Sequence, residues 1–129
     1  MEKSKSKKVS KAKYVDAFVI SINIKNVPAY KKMAELGREV WMEYGALDYK
    51  ECVGEDLDTI MGLPFPKLTG SKKTETVIFS WITYNSKAHR NKVNAKVMKD
   101  PRMNNMDGKK MPFEMDKMSY GGFKVLVSS

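Results

Sequence analysis

A single histidine, His89, lies in the stretch FSWITYNSKAHRNKV at positions 79–93. It falls near the predicted start of a helix, where the helix N-terminus and the neighbouring Lys87 and Arg90 disfavour a charged imidazolium. A neutral imidazole near pH 7 can act as a general base or as a ligand donor. His89 is therefore a candidate catalytic residue. The alternative is a packed histidine that donates one hydrogen bond to the backbone.

Glu51 is the second candidate catalytic residue, because a histidine base usually needs an orienting carboxylate. It alternates with Leu47, Tyr49 and Val53 in LDYKECVG (47–54), so these side chains share one face of a predicted strand. On an inner face, Glu51 would be a carboxylate in an apolar setting, which is the environment of many catalytic acids and bases. The alternative is a cross-strand ion pair or an edge position.

Four further residues are predicted to line a ligand pocket. Tyr49 and Trp81 would supply aromatic walls, although such rings are also common in ordinary cores. Arg90 and Asn94 would supply polar groups from the predicted second helix. We expect Cys52 to be a small packed side chain, because no Cys–His pairing is detectable.

Composition limits the classes of function. The 129 residues are enough for one domain, and the apolar (42%) and charged (30%) fractions are typical of globular proteins. One cysteine and one histidine are too few for a structural zinc site, and we expect no metal or cofactor. The lone cysteine, and the lack of a signal-peptide pattern or a membrane-spanning run, predict a cytoplasmic protein with no membrane association.

Positive charge is concentrated at the N-terminus. The net charge is +9, and residues 1–13 supply +5 of it through six lysines and one glutamate. We interpret 1–13 as a flexible basic tail preceding a single domain, 14–129. The predicted second helix carries four cations, Arg90, Lys92, Lys96 and Lys99. Tail and helix together suggest an alternative function, a module that binds RNA or another nucleic acid. A solubilising tail and a solvated helix face are the simpler explanation.

Six elements are predicted. Strands are expected at 14–24, 47–54, 74–84 and 120–127, where β-branched and aromatic residues recur. Helices are expected at 26–46 and 85–100 from apolar spacing and end signals. In the first helix one apolar stripe is predicted, made by Tyr30, Met33, Ala34, Gly37, Val40, Trp41 and Tyr44. The connection 55–75 is expected to be irregular because it contains prolines and glycines. The methionine-rich segment 103–118 is interpreted as a lid, an arm around a partner, or simple gap-filling.

The order of these elements predicts an α+β fold. It matches the ferredoxin-like βαββαβ arrangement, a four-stranded antiparallel sheet with two helices on one face. The first and third strands are apolar on both faces. In the first, one face carries Val15, Ala17 and Val19 and the other Phe18, Ile20 and Ile22. In the third, one face carries Val77, Phe79 and Trp81 and the other Ile78, Ser80 and Ile82. A bare apolar sheet face is unusual in a monomer, so we expect a homodimer that packs sheet against sheet.

Several long blocks resemble one family. They are YVDAFVI, WMEYGALDYKECVGED, TVIFSWITYNSKAHRNKVNAKVMKDPRM and MPFEMDKMSYGGFKVLV. From Tyr14 to Val127 the chain resembles the YbaA-like family of uncharacterised bacterial proteins, which is similar to the dimeric α/β-barrel superfamily. That resemblance implies a homodimer holding a small organic molecule between sheet and helices, with cofactor-independent oxygenase or isomerase-like chemistry. A structural or regulatory dimer without catalysis is the further alternative. The second helix lacks the Trp of the superfamily's haem-degrading members, which departs from haem chemistry.

Overall fold

The computed structural model describes residues 12–104 and 111–129. Its strands are β1 (Tyr14–Asn23), β2 (Asp48–Val53), β3 (Glu75–Tyr84) and β4 (Met118–Lys124). Its helices are α1 (Val27–Glu43), α2 (Phe65–Thr69), α3 (Lys87–Lys99) and α4 (Pro101–Asn104), with 3₁₀ turns at Ile24–Asn26 and Met115–Lys117. The strands form one antiparallel sheet in the order β2-β3-β1-β4. The predicted α+β class is confirmed.

Helix α1 presents a narrow buried stripe to the sheet. Pro28 occupies its first turn, where a missing N–H costs no helical hydrogen bond. The buried stripe is Tyr30, Ala34, Gly37 and Val40, at spacings of three and four residues. The helix ends at Glu43, earlier than the predicted 46, because the chain turns at Gly45 with φ of 112°.

The connection between β2 and β3 is not wholly irregular as predicted, because it contains α2. Pro64 precedes that helix and Pro66 lies in its first turn, where proline is compatible with helical structure. Gly70, with φ of 68°, ends it. A hydrogen bond of 2.7 Å between Ser71 Oγ and Ser21 Oγ attaches this connection to β1. The connection thereby covers one end of the sheet face that α1 and α3 leave open.

The main core lies between the sheet and the helices α1 and α3. Its buried members form two groups: Val40, Ala46, Ile82, Tyr84, Val93 and Val97, and Ile20, Ile22, Tyr30, Ala34 and Ile78. The even-numbered residues of β1 and β3 face these helices, as the alternation predicted, because β1 and β3 pair in register with Ile20 opposite Ile78. Both helices therefore contact one face of the sheet.

The opposite sheet face exposes apolar side chains at its centre. Phe79 is 40% exposed and its ring centroid lies 5.5 Å from that of Trp81. On β4, Phe123 is 58% exposed. Val19 and Ala17 of β1 pair with Phe79 and Trp81, so they belong to the same face. This open apolar face is the part of the fold that the described residues leave without a cover.

The chain ends differ from the predicted boundaries. Strand β4 begins at Met118 and ends at Lys124, so the glycine pair lies inside the strand instead of opening it. A Cβ atom on Gly122 would collide with the Tyr14 hydroxyl, so glycine is needed there. Lys13 already joins the sheet, because its N–H donates to the Tyr84 carbonyl at 2.9 Å. The remainder of the predicted tail, 1–11, and 105–110 of the methionine-rich segment lie outside the described residues.

Helix lengths and compositions bear on membrane association. Within 12–104 and 111–129, no helix is long and apolar enough to span a bilayer.

Candidate functional site

A carboxylate held by two tyrosines forms the centre of the candidate site. Glu51, on β2, points toward α1 and is half-buried. Tyr30 of α1 donates its hydroxyl proton to Glu51 Oε1 at 2.7 Å. Tyr49, two residues before Glu51 on the same face of β2, donates to Oε2 at 2.7 Å. The helix stripe and the strand alternation therefore bring three polar groups together in a mainly apolar layer.

Both tyrosines remain neutral donors. Burial is the main cause that raises the pKa of Tyr30 far above its usual value of 10.0, and the negative charge of Glu51 raises it further. The pKa of Tyr49 is raised for the same two reasons in the same order. Both phenols therefore act as hydrogen-bond donors toward the carboxylate throughout the physiological pH range.

Two cavities meet at this group. An outer groove of about 320 Å³ lies between α1 and the edge strand β2, and an inner cavity of about 180 Å³ lies between α1 and the centre of the sheet. Tyr30, Ala34, Tyr49 and Glu51 line both. The inner cavity has aromatic and thioether walls: Phe18, Trp41, Phe113, Met33, Met103, Met111 and Met118. The hydrogen-bonded group of Tyr30, Tyr49 and Glu51 thus lies between the outer groove and the inner cavity.

This arrangement has a defined chemical capacity. A carboxylate has about four acceptor positions on its two oxygens, and the tyrosines use one on each oxygen. Glu51 can therefore accept a further hydrogen bond or a proton from a bound molecule. Among the described residues, no group of three or more His, Cys, Asp or Glu side chains could hold a metal ion. The site offers proton acceptance, hydrogen bonding and apolar contact.

His89 lies away from this group. Ser86 caps α3 by accepting from the His89 backbone N–H at 3.0 Å. The His89 Nδ1 atom accepts from the Asn85 backbone N–H at 2.9 Å, so the neutral ring carries its proton on Nε2. Its ring meets Tyr84 edge-on at 5.8 Å. The structure does not bring His89 and Glu51 together, and His89 lines neither cavity.

Arg90 belongs to a second polar cluster, which includes a carboxylate that the sequence analysis missed. Asp16 on β1 is 1% exposed, and its Oδ1 lies 3.7 Å from Arg90 Nε. Arg90 also donates to the hydroxyls of Tyr120 (3.1 Å) and Tyr14 (3.0 Å). Burial raises the pKa of Asp16, while the Arg90 charge opposes that rise. A lone Asp on the face of β1 that carries Phe18 could have indicated this cluster.

Asn94 and Trp81 have separate environments. Asn94 Oδ1 accepts from Trp41 Nε1 at 3.0 Å and from the Tyr84 hydroxyl at 3.3 Å, so it fixes the indole that walls the inner cavity. Trp81 pairs with Lys50 across β2 and β3, whereas Tyr49 pairs with Ile82. Trp81 therefore lies on the open face, and the expectation that it and Tyr49 wall one pocket does not match this register.

Tyr30 was placed by sequence on the buried stripe of α1 but not in the site. Its helical position gives the direction of its ring and not the partner of its hydroxyl. The signal that could have found it is the combination of a tyrosine on the helix stripe and a lone glutamate on the inner strand face, since each needs a polar partner when buried.

Comparisons with known proteins identify the family. A family model described as a protein of unknown function, DUF1428, matches residues 13–115. "Uncharacterized protein YbaA" of Escherichia coli strain K12 is 38% identical over 115 residues, which cover 89% of this chain and 97% of that protein. The YbaA proteins of Escherichia coli O157:H7 and of Shigella flexneri match with the same identity and coverage. The chain belongs to the DUF1428 family.

Proposed function

We propose that this member of the DUF1428 family binds a small organic molecule between α1 and the sheet, with Glu51 as the polar contact. The observation that carries the proposal is the Glu51 carboxylate, which two neutral tyrosines hold at the junction of two cavities. Apolar walls with a few convergent polar groups are typical of small-molecule sites, and the volume of the groove is within their usual range.

Cofactor-independent chemistry is the catalytic form of this proposal. Glu51 would act as the base that removes a proton from a bound C–H or O–H group, as an isomerase or a cofactor-independent oxygenase requires. Once Glu51 has taken the proton, the neutral phenols of Tyr30 and Tyr49 would donate hydrogen bonds to the negative charge that develops on the bound molecule. His89, as proposed from the sequence, would act at the start of α3 and not as a partner of Glu51.

Binding can be tested with 2-(4-hydroxyphenyl)ethanol, a neutral probe with an apolar ring and a hydroxyl donor. In ¹H–¹⁵N spectra of the purified protein, the indole N–H signals of the two tryptophans report on opposite sides of the sheet. Trp41 walls the inner cavity, and Trp81 lies on the opposite face. Saturable shifts of the Glu51 backbone N–H signal are expected, accompanied by the Trp41 indole signal where the probe reaches the inner cavity, and without shifts of the Trp81 signal. Shifts of the Trp81 signal alone, or no saturable shift, would count against this pocket.

Variants of one helix sharpen the test. Ala34 is 8% exposed and lines both cavities, so Ala34→Leu should fill the space and weaken probe binding at least tenfold. Ala29 is an exposed residue of the same helix, and Ala29→Leu should leave probe binding unchanged. A folded Ala34→Leu protein that binds the probe like the wild type would favour a structural or regulatory protein without this ligand site.

We infer in addition a ferredoxin-like protomer that forms a homodimer, as in a dimeric α/β barrel. The strand order β2-β3-β1-β4, with α1 and α3 on one face, supports the protomer. The open face supports the dimer, because Phe79 and Phe123 would lose exposed apolar surface against a second copy. The β2–β3 connection exposes further apolar residues, namely Ile60, Met61, Leu63 and Leu68.

Sedimentation equilibrium tests the dimer. Phe79→Glu places a charge at the centre of the open face and should give a monomer. Met98→Glu places the same charge on α3, where Met98 is 57% exposed, and should keep the dimer mass of the wild type. A wild-type monomer, or dissociation by both variants alike, would refute packing through this face.

The alternative function, nucleic-acid binding, is supported by fewer exposed cations on α3 than the sequence suggested. Of the four cations of α3, Arg90 is 17% exposed and binds Asp16, Tyr14 and Tyr120. Its guanidinium is therefore not on the solvent side of the helix with Lys92. A cytoplasmic location completes the proposal. Cys52 is exposed, so the expectation of a packed side chain was wrong, and an exposed free thiol suits a reducing compartment.

A further inference from the structure

The rim of the outer groove is positively charged. Lys31 and Arg38 project from α1 on the side that faces β2. Lys50, which pairs with Trp81, points to the opposite face of the sheet. Lys50 bonds Asp48 at 2.8 Å, whereas neither Lys31 nor Arg38 makes an ion pair within the described part of the chain. Glu35 is the acidic residue of the rim. Two exposed cations therefore remain without an acidic partner at the groove entrance.

The floor of the groove has the opposite sign. Glu51 lies there with both oxygens accepting hydrogen bonds from tyrosines, and no cation bonds it among the described residues. An anionic group on the floor would be repelled by this carboxylate, whereas a neutral donor would be attracted to it. Between rim and floor, Val27, Ala34, Val53 and Ile78 offer apolar contact. The groove therefore has positive charge at its entrance and negative charge on its floor.

From this polarity we propose that the ligand class is an organic acid whose carboxylate binds at Lys31 and Arg38 and whose far end carries a hydroxyl that donates to Glu51. The proposal rests on the ligand site proposed above and adds the chemical class and the direction of binding. A hydroxylated aromatic or alicyclic acid fits the chemistry, because it has an apolar body between an anionic end and a hydroxyl donor. A simple inorganic anion does not fit, since it offers nothing to the floor.

Three matched probes separate the contributions of the two ends. 4-Hydroxyphenylacetate carries both the anion and the hydroxyl, 2-(4-hydroxyphenyl)ethanol lacks the anion, and 4-methylphenylacetate lacks the hydroxyl. Dissociation constants come from titrations of the backbone N–H signal of residue 51, which lines the groove, at pH 7 and constant salt. We expect 4-hydroxyphenylacetate to bind about threefold to tenfold more tightly than either other probe, which is the range for partly exposed charges and hydrogen bonds.

Variants assign each preference to its residues. Lys31→Gln combined with Arg38→Gln should remove the preference for the anion while leaving 2-(4-hydroxyphenyl)ethanol binding unchanged. Lys32→Gln is the matched control, because Lys32 is an exposed lysine of the same helix that lies outside the groove lining. Glu51→Gln should lower the preference for the hydroxyl and spare the preference for the anion.

The outcomes distinguish this inference from the binding proposal beneath it. Equal affinities for 4-hydroxyphenylacetate and 2-(4-hydroxyphenyl)ethanol, with the shifts of the residue-51 signal intact, would overturn the acid class and leave the pocket standing. Loss of anion preference in Lys32→Gln as well would also overturn it, since net charge and not the rim would be responsible. Absence of any saturable shift of the residue-51 signal with all three probes would overturn both proposals.

Discussion

The bond between Tyr30 and Glu51 should contribute measurably to folding, and a double-mutant cycle isolates its contribution. Tyr30 is 5% exposed and donates to the carboxylate at 2.7 Å, which is a short, charge-assisted hydrogen bond. Such bonds contribute about 1.5–3 kcal/mol when one partner is charged. Glu51 is only half-buried, so the lower part of that range applies. We expect a coupling free energy of about 1–2 kcal/mol between Tyr30→Phe and Glu51→Gln.

The measurement is urea unfolding of the wild type, both single variants and the double variant at pH 7. Tyr44→Phe provides the control, because the Tyr44 hydroxyl also donates to a carboxylate, that of Asp100, at 2.7 Å. Tyr44→Phe combined with Glu51→Gln should be additive, since the two pairs share no partner. Equal coupling in both cycles, or coupling below about 0.3 kcal/mol in the first, would refute the assigned bond.

The pH dependence of the same bond has a definite sign. The folded-state pKa of Tyr30 is raised above the usual 10.0, so its stabilising effect is complete below pH 10 and is lost as pH rises through the folded value. The stability of the wild type relative to Tyr30→Phe should therefore fall as pH rises above 10. Urea unfolding of both proteins between pH 8 and pH 11 checks this. A pH-independent difference would show that the folded-state pKa of Tyr30 is not raised.

Three further perturbations test neighbouring parts of the structure. In Gly37→Ala, the new Cβ would lie 2.8 Å from the Tyr49 hydroxyl oxygen. The free energy of unfolding, measured in urea, should fall by about 1–3 kcal/mol although alanine favours helix. Equal or higher stability would contradict the close contact. Burial raises the pKa of Asp16, so the stability of the wild type relative to Asp16→Asn should fall as pH rises from 3.8 through the pKa of Asp16 in the folded protein. A stability difference that does not change with pH would be inconsistent with that burial. Hydrogen bonds from Arg102 hold the pKa of Asp100 below its usual value, so the stability that they give is present above pH 3.8 and is lost in more acidic solution. On acid titration, Arg102→Gln should therefore unfold at a higher pH than the wild type. An unshifted midpoint of acid unfolding would contradict the bond.

The sequence predicted the architecture well where periodicity is strong. Alternation in β1 and β3 assigned the faces of Phe18 and Phe79, and the register confirms them. Boundaries were less accurate where backbone turns decide them, as at Gly45, which ends α1 early. The helix α2 was missed because prolines were interpreted as breakers. In fact Pro64 and Pro66 occupy the start of a helix, where proline is tolerated.

The site was harder to predict because its contacts join distant segments. Glu51 was placed correctly with Tyr49 on one strand face, since that relation follows from alternation alone. Its bond to Tyr30 depends on the lateral position of α1 over β2, which the sequence pattern does not specify. The same limit applies to Arg90, whose side chain turns toward Asp16 instead of lining the predicted pocket. Spacing predicts faces, whereas side-chain pairing depends on how helices lie on the sheet.

Two inward-facing carboxylates show why Glu51 and not Asp16 is the better candidate for function. Asp16 has a cation at 3.7 Å and is 1% exposed, so it is closed off from ligands. Its charge state is set inside the fold, because burial raises its pKa and Arg90 opposes that rise. Glu51 receives bonds only from neutral phenols among the described residues, and cavities adjoin it on two sides. Each Glu51 oxygen uses one acceptor position for a tyrosine, so a ligand that enters either cavity can donate to the remaining positions.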